Sequence, residues 1–210
     1  MKVAILSESP ADEAAIRILV DGLLGTKTGS VSHAGLRSRG WPSVRQVLPA
    51  VLLQLHYHTD ADGFVLVVDS NGTPPHEADH EFPGKTDPKC RLCELRRIAQ
   101  EILGKARPRQ ASAPLKTAIG LAIPSIEAWL RCDSDPHVSE AAWHNGMNSG
   151  QLPYSTAQLK KDLYGTDRPS LAHETKTMTE AASRLASDLS VLEARFPHGF
   201  GAFVRDLRSW

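Results

Sequence analysis

The chain has 210 residues, enough for one domain with a proper core. Its 24 lysines and arginines balance 24 aspartates and glutamates, which excludes a uniformly basic nucleic-acid coat and an acidic tail. Hydrophobic residues at 41% and charged residues at 23% exclude wholesale disorder, and no apolar run reaches the roughly 18 residues that span a bilayer.

The opening MKVAILSESP has four apolar residues before Ser7 and Glu8, too few for a secretory signal. Three cysteines do not make a disulfide framework. A cytoplasmic protein with reduced thiols and no membrane contact is expected. Val3–Leu6 reads as a buried strand, and Ser9-Pro10-Ala11-Asp12 as a helix start with Ser9 at the N-cap and Asp12 closing a capping box. Ile16, Leu19 and Leu23 then recur at helical spacing.

A weaker strand is expected near Ser30–Leu36. A clean helical stripe follows in Val44, Val47, Leu48, Val51, Leu52 and Leu55, then a strand at Phe64–Val68. Leu92, Leu95, Ile98 and Ile102 predict another helix, and Thr117–Ile123 a fourth strand. Strand and helix alternating in this way predict an α/β fold, a mostly parallel four-stranded sheet with helices on both faces. Pro124–Arg131 starts a further helix. Residues 133–155 are rich in Asp, Ser, Gly, Asn and Pro, as in a long loop or partly helical excursion. Helices are expected around Thr156–Tyr164, His173–Leu192 and Gly201–Leu207. The division is an α/β domain over 1–132 and a C-terminal helical extension over 133–210 packed on it.

Ligands of an open parallel sheet bind beyond the carboxyl ends of its strands. Glu8 lies two residues past the first strand, Asp69 directly follows the third, Asn71 comes two residues later, and Glu127 lies four residues past Ile123. These oxygen ligands suit Mg²⁺ or Mn²⁺. Each also has a plain structural reading: a turn at Asp69-Ser70-Asn71-Gly72, a helix dipole complemented by Glu127. Capping alone accounts for Asp12. What favours a site is that the acids share one position, after three strands.

Charge is unevenly spread. Residues 60–87 hold seven acids and one base, and residues 89–116 hold eight bases and two acids. This fits a metal site beside a phosphate-binding surface with Arg91, Arg96 and Arg97 as nucleic-acid contacts, or two solvated faces that neutralise one another. His76, His80, Cys90 and Cys93 have the form H-x3-H-x9-C-x2-C, which suits tetrahedral Zn²⁺. The alternatives are histidines in solvent beside two cysteines that begin a helix, or His76 or His80 as a catalytic helper. Trp41, Trp143 and Trp210 can stack on bases or serve as packing residues. No glycine-rich phosphate loop and no G-x-S-x-G elbow is present.

A strand ending in Glu8, a helix, and a later strand running into Asp69-x-Asn71 resemble the Toprim domain. The resemblance is closer to small Toprim-like proteins of the domain-of-unknown-function 4276 type. It rests on Glu8-Ser9-Pro10-Ala11-Asp12, on Pro124-Ser125-Ile126-Glu127-Ala128-Trp129-Leu130 and on the aromatic tail Phe200–Trp210. The resemblance implies a Mg²⁺- or Mn²⁺-dependent nuclease of a prokaryotic antiphage defence system. Glu8, Asp69, Asn71 and Glu127 would be its catalytic and metal-binding residues, nucleic acid (DNA before RNA) its substrate and an ATPase its partner. Two positions depart from the pattern: Ser9 replaces a glycine, and Asn71 replaces the second aspartate of the DxD motif. Asn71 keeps an oxygen but brings no charge, so a degenerate subunit that binds an ATPase or nucleic acid without cleaving is the alternative. Esterase chemistry is not expected.

Overall fold

The computed structural model describes residues 1–31, 40–82, 84–109 and 113–210. Four strands form one parallel sheet: β1 (Lys2–Leu6), β2 (Gly29–Ser30), β3 (Gly63–Asp69) and β4 (Lys116–Ala122), in the order β2-β1-β3-β4. Leu6 pairs with Leu66, and Asp69 with Ala122, so the carboxyl ends of β1, β3 and β4 lie along one edge. The α/β class, the parallel sheet and its four strands are as the alternation predicts. Of the strand expected over Ser30–Leu36, only Ser30 falls in β2, as its last residue; Val31 is not in a strand, and residues 32–36 lie outside the described residues.

Alternation of side chains along each strand gives the sheet two apolar faces. Val3, Ile5, Val65, Val67 and Ala118 join α1 (Pro10–Leu24) and the C-terminal helices in one core. Ala4, Leu6, Phe64, Leu66 and Ile119 join α2 (Gly40–His58) and α3 (Arg91–Lys105) in the other. Helices therefore cover both faces, as a buried parallel sheet requires. Trp129, in α4 (Ile126–Arg131), is fully buried against the sheet. It fits because residue 120 is glycine: a Cβ there would stand 3.2 Å from both the Trp129 ring and Phe203.

The remaining helices are α5 (Glu140–Ser149), α6 (Thr156–Tyr164), α7 (Leu171–Leu185), α8 (Ser190–Arg195) and α9 (Phe200–Arg208). The stretch 133–155 holds a full helix, α5, capped by Ser139 accepting from the Ala142 N–H at 3.2 Å. The long helix expected over His173–Leu192 is two helices, α7 and α8. The break falls where Asp188 turns its carboxylate onto the Ser190 N–H at 3.1 Å, the kind of local bond with which Asp competes against helix. α7 packs on α1, and α9 packs on β4. At the exposed edge of β4, the Ile119 N–H donates to Asp206 Oδ2 from α9 at 3.1 Å. Among the described residues, no helix is long and apolar enough to cross a membrane.

Candidate metal centres at the carboxyl edge of the sheet

β1 runs out into Ser7 and Glu8, β3 into Ser70 and Asn71, and β4 into the Pro124 turn before α4. Strand pairing continues past the strands: the Ser70 N–H donates to Ala122 O at 2.8 Å and the Asn71 N–H to Pro124 O at 3.0 Å. Asn71 has φ +45°, a left-handed conformation that asparagine tolerates better than most residues, followed by Gly72 at +81°. The three loops thus lie side by side. Glu8, Asp69, Asn71 and Glu127 line one cleft of about 250 Å³, together with Asp12, Lys160 and Glu174.

Each acid is held differently. Glu8 Oε1 accepts from the Asp69 N–H at 3.0 Å, and Asp69 Oδ1 accepts from the Ile126 N–H at 2.9 Å. Glu127 is buried, with Oε1 accepting from the Tyr164 hydroxyl at 3.2 Å and lying 3.7 Å from the Lys160 ammonium, while its Oε2 is buried without a partner. The Ser9 cap forms as predicted, with the Asp12 N–H donating to Ser9 Oγ at 3.2 Å. The Asp12 carboxylate does not close the expected capping box. It turns into the cleft, 3.5 Å from Ser7 Oγ, so Asp12 is a member of the cluster that capping logic assigned elsewhere.

Crowding sets the electrostatics. Burial, then Glu127, raises Asp12 to about 7. Burial, then Glu127, Asp12 and Glu8, holds Asp69 well above the usual carboxylate range. Burial also raises Glu8, against the pull of the Asp69 N–H and Arg91. Carboxylates that resist ionisation together are those a divalent cation would relieve. Burial would lower the Lys160 ammonium, but Glu127 and Asp69 outweigh it and raise its pKa.

Lys160 and Glu174 reach the cleft from α6 and α7, and Tyr164 of α6 holds Glu127. No strand-end rule finds them, because they come from helices far along the chain. The one available signal was that Thr156–Tyr164 is a short polar helix with no wide apolar face.

Beside the cleft lies a second cluster. His76, His80, Cys90 and Cys93 bring one ligand atom each to within 4.8 Å of one another, an arrangement that can hold a metal ion. Among the described residues this is the group of such side chains that converges in this way, and the cleft carboxylates do not form a second. His76 Nδ1 lies 3.5 Å from Cys90 Sγ and 3.6 Å from Cys93 Sγ. Cys90 is the N-cap of α3 and Cys93 lies in its first turn, so the helix start presents both sulfurs to the 76–80 segment. Burial pushes the Cys90 thiol up to about 12 and the His76 imidazole down to about 4, the latter against the pull of Glu81. All three cysteines are free, and Cys132 is a buried core residue.

The arginines of the basic stretch are differently placed. Arg91, between the two cysteines, donates to Asp69 O, stands 3.9 Å from Glu8 Oε1 and lies 4.6 Å over the Trp41 ring. Arg96 bonds Glu81 at 2.9 Å and Asp206 at 3.1 Å. Arg97 is exposed, paired with Glu101 at 3.3 Å. Arg96 and Arg97 line a larger cleft of about 680 Å³ that opens onto His76, His80 and Cys93. Trp143 packs on Tyr154, with ring centroids 5.5 Å apart, and Trp210 covers Gly63, so both serve in packing.

Comparison with family models, curated proteins and solved structures gives no match.

Proposed function

We propose that the chain is a metal-dependent phosphodiesterase acting on nucleic acid, a Toprim-like nuclease with Mg²⁺ or Mn²⁺ held by Glu8, Asp69, Asn71 and Glu127. The observation that carries this is the buried, unpartnered Glu127 Oε2 in a cleft that also collects Glu8 and Asp69 from the ends of separate strands. The spread of the carboxylates suits an ion that keeps several of its waters. Such an ion supplies Lewis acidity and charge neutralisation at the phosphate. Glu8 would take the proton of the attacking water, Asp69 and Glu127 would hold the cation, and Lys160 would pair with the substrate phosphate; as the water oxygen adds to phosphorus the P–O bond opposite it breaks, and the leaving oxygen takes a proton from solvent. Arg97 contacts the flanking backbone. The likeness to defence nucleases extends the reading to an ATPase partner.

The second cluster is read as a structural Zn²⁺ site. Ligand atoms about 2.1 Å (N) and 2.3 Å (S) from a shared tetrahedral ion stand about 3.6 Å apart, which is the spacing of His76 Nδ1 from the two sulfurs. Four protein ligands close such a site to substrate, which argues for support rather than catalysis. The polar, proline-rich segment 70–88 gains from it an anchor that its own packing does not provide.

Asn71 favours a second reading, a non-cleaving subunit that binds an ATPase or nucleic acid. The test is incubation with plasmid DNA and with RNA, in Mg²⁺, Mn²⁺ or chelator, alone and with a neighbouring ATPase. Cleavage that disappears in Glu8→Ala and Asp69→Ala supports the nuclease. Inertness in every condition, with stable ATPase binding, supports the second reading.

A further inference from the structure

Among the described residues, Glu81 joins three side chains, His76, Arg96 and Arg205. It sits at the end of a 3-10 turn (Ala78–Glu81), directly after His80. Its Oε1 lies 2.9 Å from His76 Nε2, 2.9 Å from Arg96 Nη1 and 3.1 Å from Arg205 Nη2. Its Oε2 takes a second bond from Arg96 Nη1 at 2.9 Å. The other arm of Arg96 grips both oxygens of Asp206 at 3.1 Å, and Asp206 in turn holds the Ile119 N–H of β4. A continuous polar chain therefore runs from the His/Cys cluster to the sheet edge.

His76 stands at the head of that chain. One ring nitrogen faces two sulfurs and the other faces a carboxylate. A neutral imidazole carries one proton. With the carboxylate on Nε2, the proton belongs there, and Nδ1 keeps its lone pair directed at Cys90 and Cys93. Metal-binding histidines commonly donate their second nitrogen to a carboxylate, which fixes the tautomer and strengthens the ligand. The four-residue pattern of histidines and cysteines gives no hint of this fifth residue.

We propose that Glu81 is the positioning residue of this metal centre, holding His76 as an Nδ1 ligand by accepting its Nε2–H, with Arg96 and Arg205 fixing the carboxylate in place. The assignment rests on the reading of the cluster as a metal site. It also gives α9 a part in metal retention, because Arg205 and Asp206 both belong to that helix.

The test is zinc affinity of the full chain, by competition with a chromophoric chelator, in wild type, Glu81→Met, Glu81→Gln and Arg205→Ala. Circular dichroism melts verify folding of each variant. Glu81→Met weakens zinc about 10- to 100-fold. Glu81→Gln, which keeps an acceptor oxygen without its charge, falls between Glu81→Met and wild type. Arg205→Ala removes one of the two anchors of the carboxylate and keeps Arg96, and so weakens zinc by a smaller factor, about two- to fivefold. Cobalt substitution supplies a signature that loss of packing does not: the visible d–d bands shift in Glu81→Met while the thiolate charge-transfer band persists. Zinc held as tightly by both Glu81 variants as by wild type, or superimposable cobalt spectra, overturns the assignment. A wild type that takes up neither metal overturns the metal reading itself, and the assignment with it.

Discussion

The hydroxyl of Tyr164 donates to Glu127 Oε1 at 3.2 Å, which commits one oxygen of a buried carboxylate to the protein and leaves the other buried without a hydrogen-bond partner. A helix from the second half of the chain thus completes a site that the strand ends begin.

The cleft acids repel one another, so neutralising one stabilises the cation-free protein. Asp69→Asn keeps an oxygen for the Ile126 N–H and removes a charge that burial and three neighbouring acids disfavour. A carboxyl raised in the folded state opposes folding once pH exceeds its unfolded value. In chelator at pH 8, Asp69→Asn is expected to be more stable than wild type. With millimolar Mn²⁺ the order reverses, because wild type gains binding energy that the variant lacks. Thermal melts with and without Mn²⁺ measure both halves.

Glu140 predicts a separate pH effect. Burial raises it to about 7, although its Oε2 accepts from the His198 N–H at 3.0 Å and the Gly199 N–H at 3.3 Å. The folded value lies above the unfolded one. The folded chain therefore binds the extra proton between about pH 4.5 and 7, and stability falls as pH rises through that window. The loss amounts to at most about 3 kcal/mol. Glu140→Gln is expected to flatten the decline, read from urea midpoints at pH 5 and pH 8.

Removal of the metal from the His/Cys cluster is expected to open the segment before α3. Lys85 and Lys89 are exposed there. Trypsin cuts chelator-treated protein, or Cys93→Ala, at these lysines about tenfold faster than metal-loaded wild type. Equal rates in the two forms would show that the segment holds itself without metal.

Gly120→Ala probes the seat of Trp129. The new methyl meets Trp129 and Phe203 at 3.2 Å, both fully buried. Overpacking of this kind costs about 1–3 kcal/mol, measurable as a lowered urea midpoint. An unchanged midpoint would mean that the α4–α9 layer yields freely.

Strand periodicity located Glu8, Asp69 and Glu127 because parallel strands send their carboxyl ends to one edge, and each acid sits within five residues of a strand end. The His/Cys set was legible because C-x2-C places both sulfurs on one helical turn. Capping foretold the Asp12 N–H bond to Ser9 but not the place of the Asp12 carboxylate in the cleft, since a cap residue and a cleft residue share the same sequence signature and only the direction of the carboxylate separates them. Glu81, Lys160 and Glu174 were not legible. Their roles depend on how α3, α6, α7 and α9 dock, and docking leaves no local spacing to read. The α7–α8 break was missed because the apolar stripe from Met178 through Leu189 to Leu192 runs across the turn without losing phase.

Ile119 offers its N–H outward from β4, a margin of the sheet, and Asp206 takes it. That single carboxylate occupies a docking point that an incoming extended segment would otherwise use. A chain shortened before α9 would present a bare ladder to its neighbours, so the last eleven residues, from Phe200 to Trp210, help keep each copy from zipping onto the next.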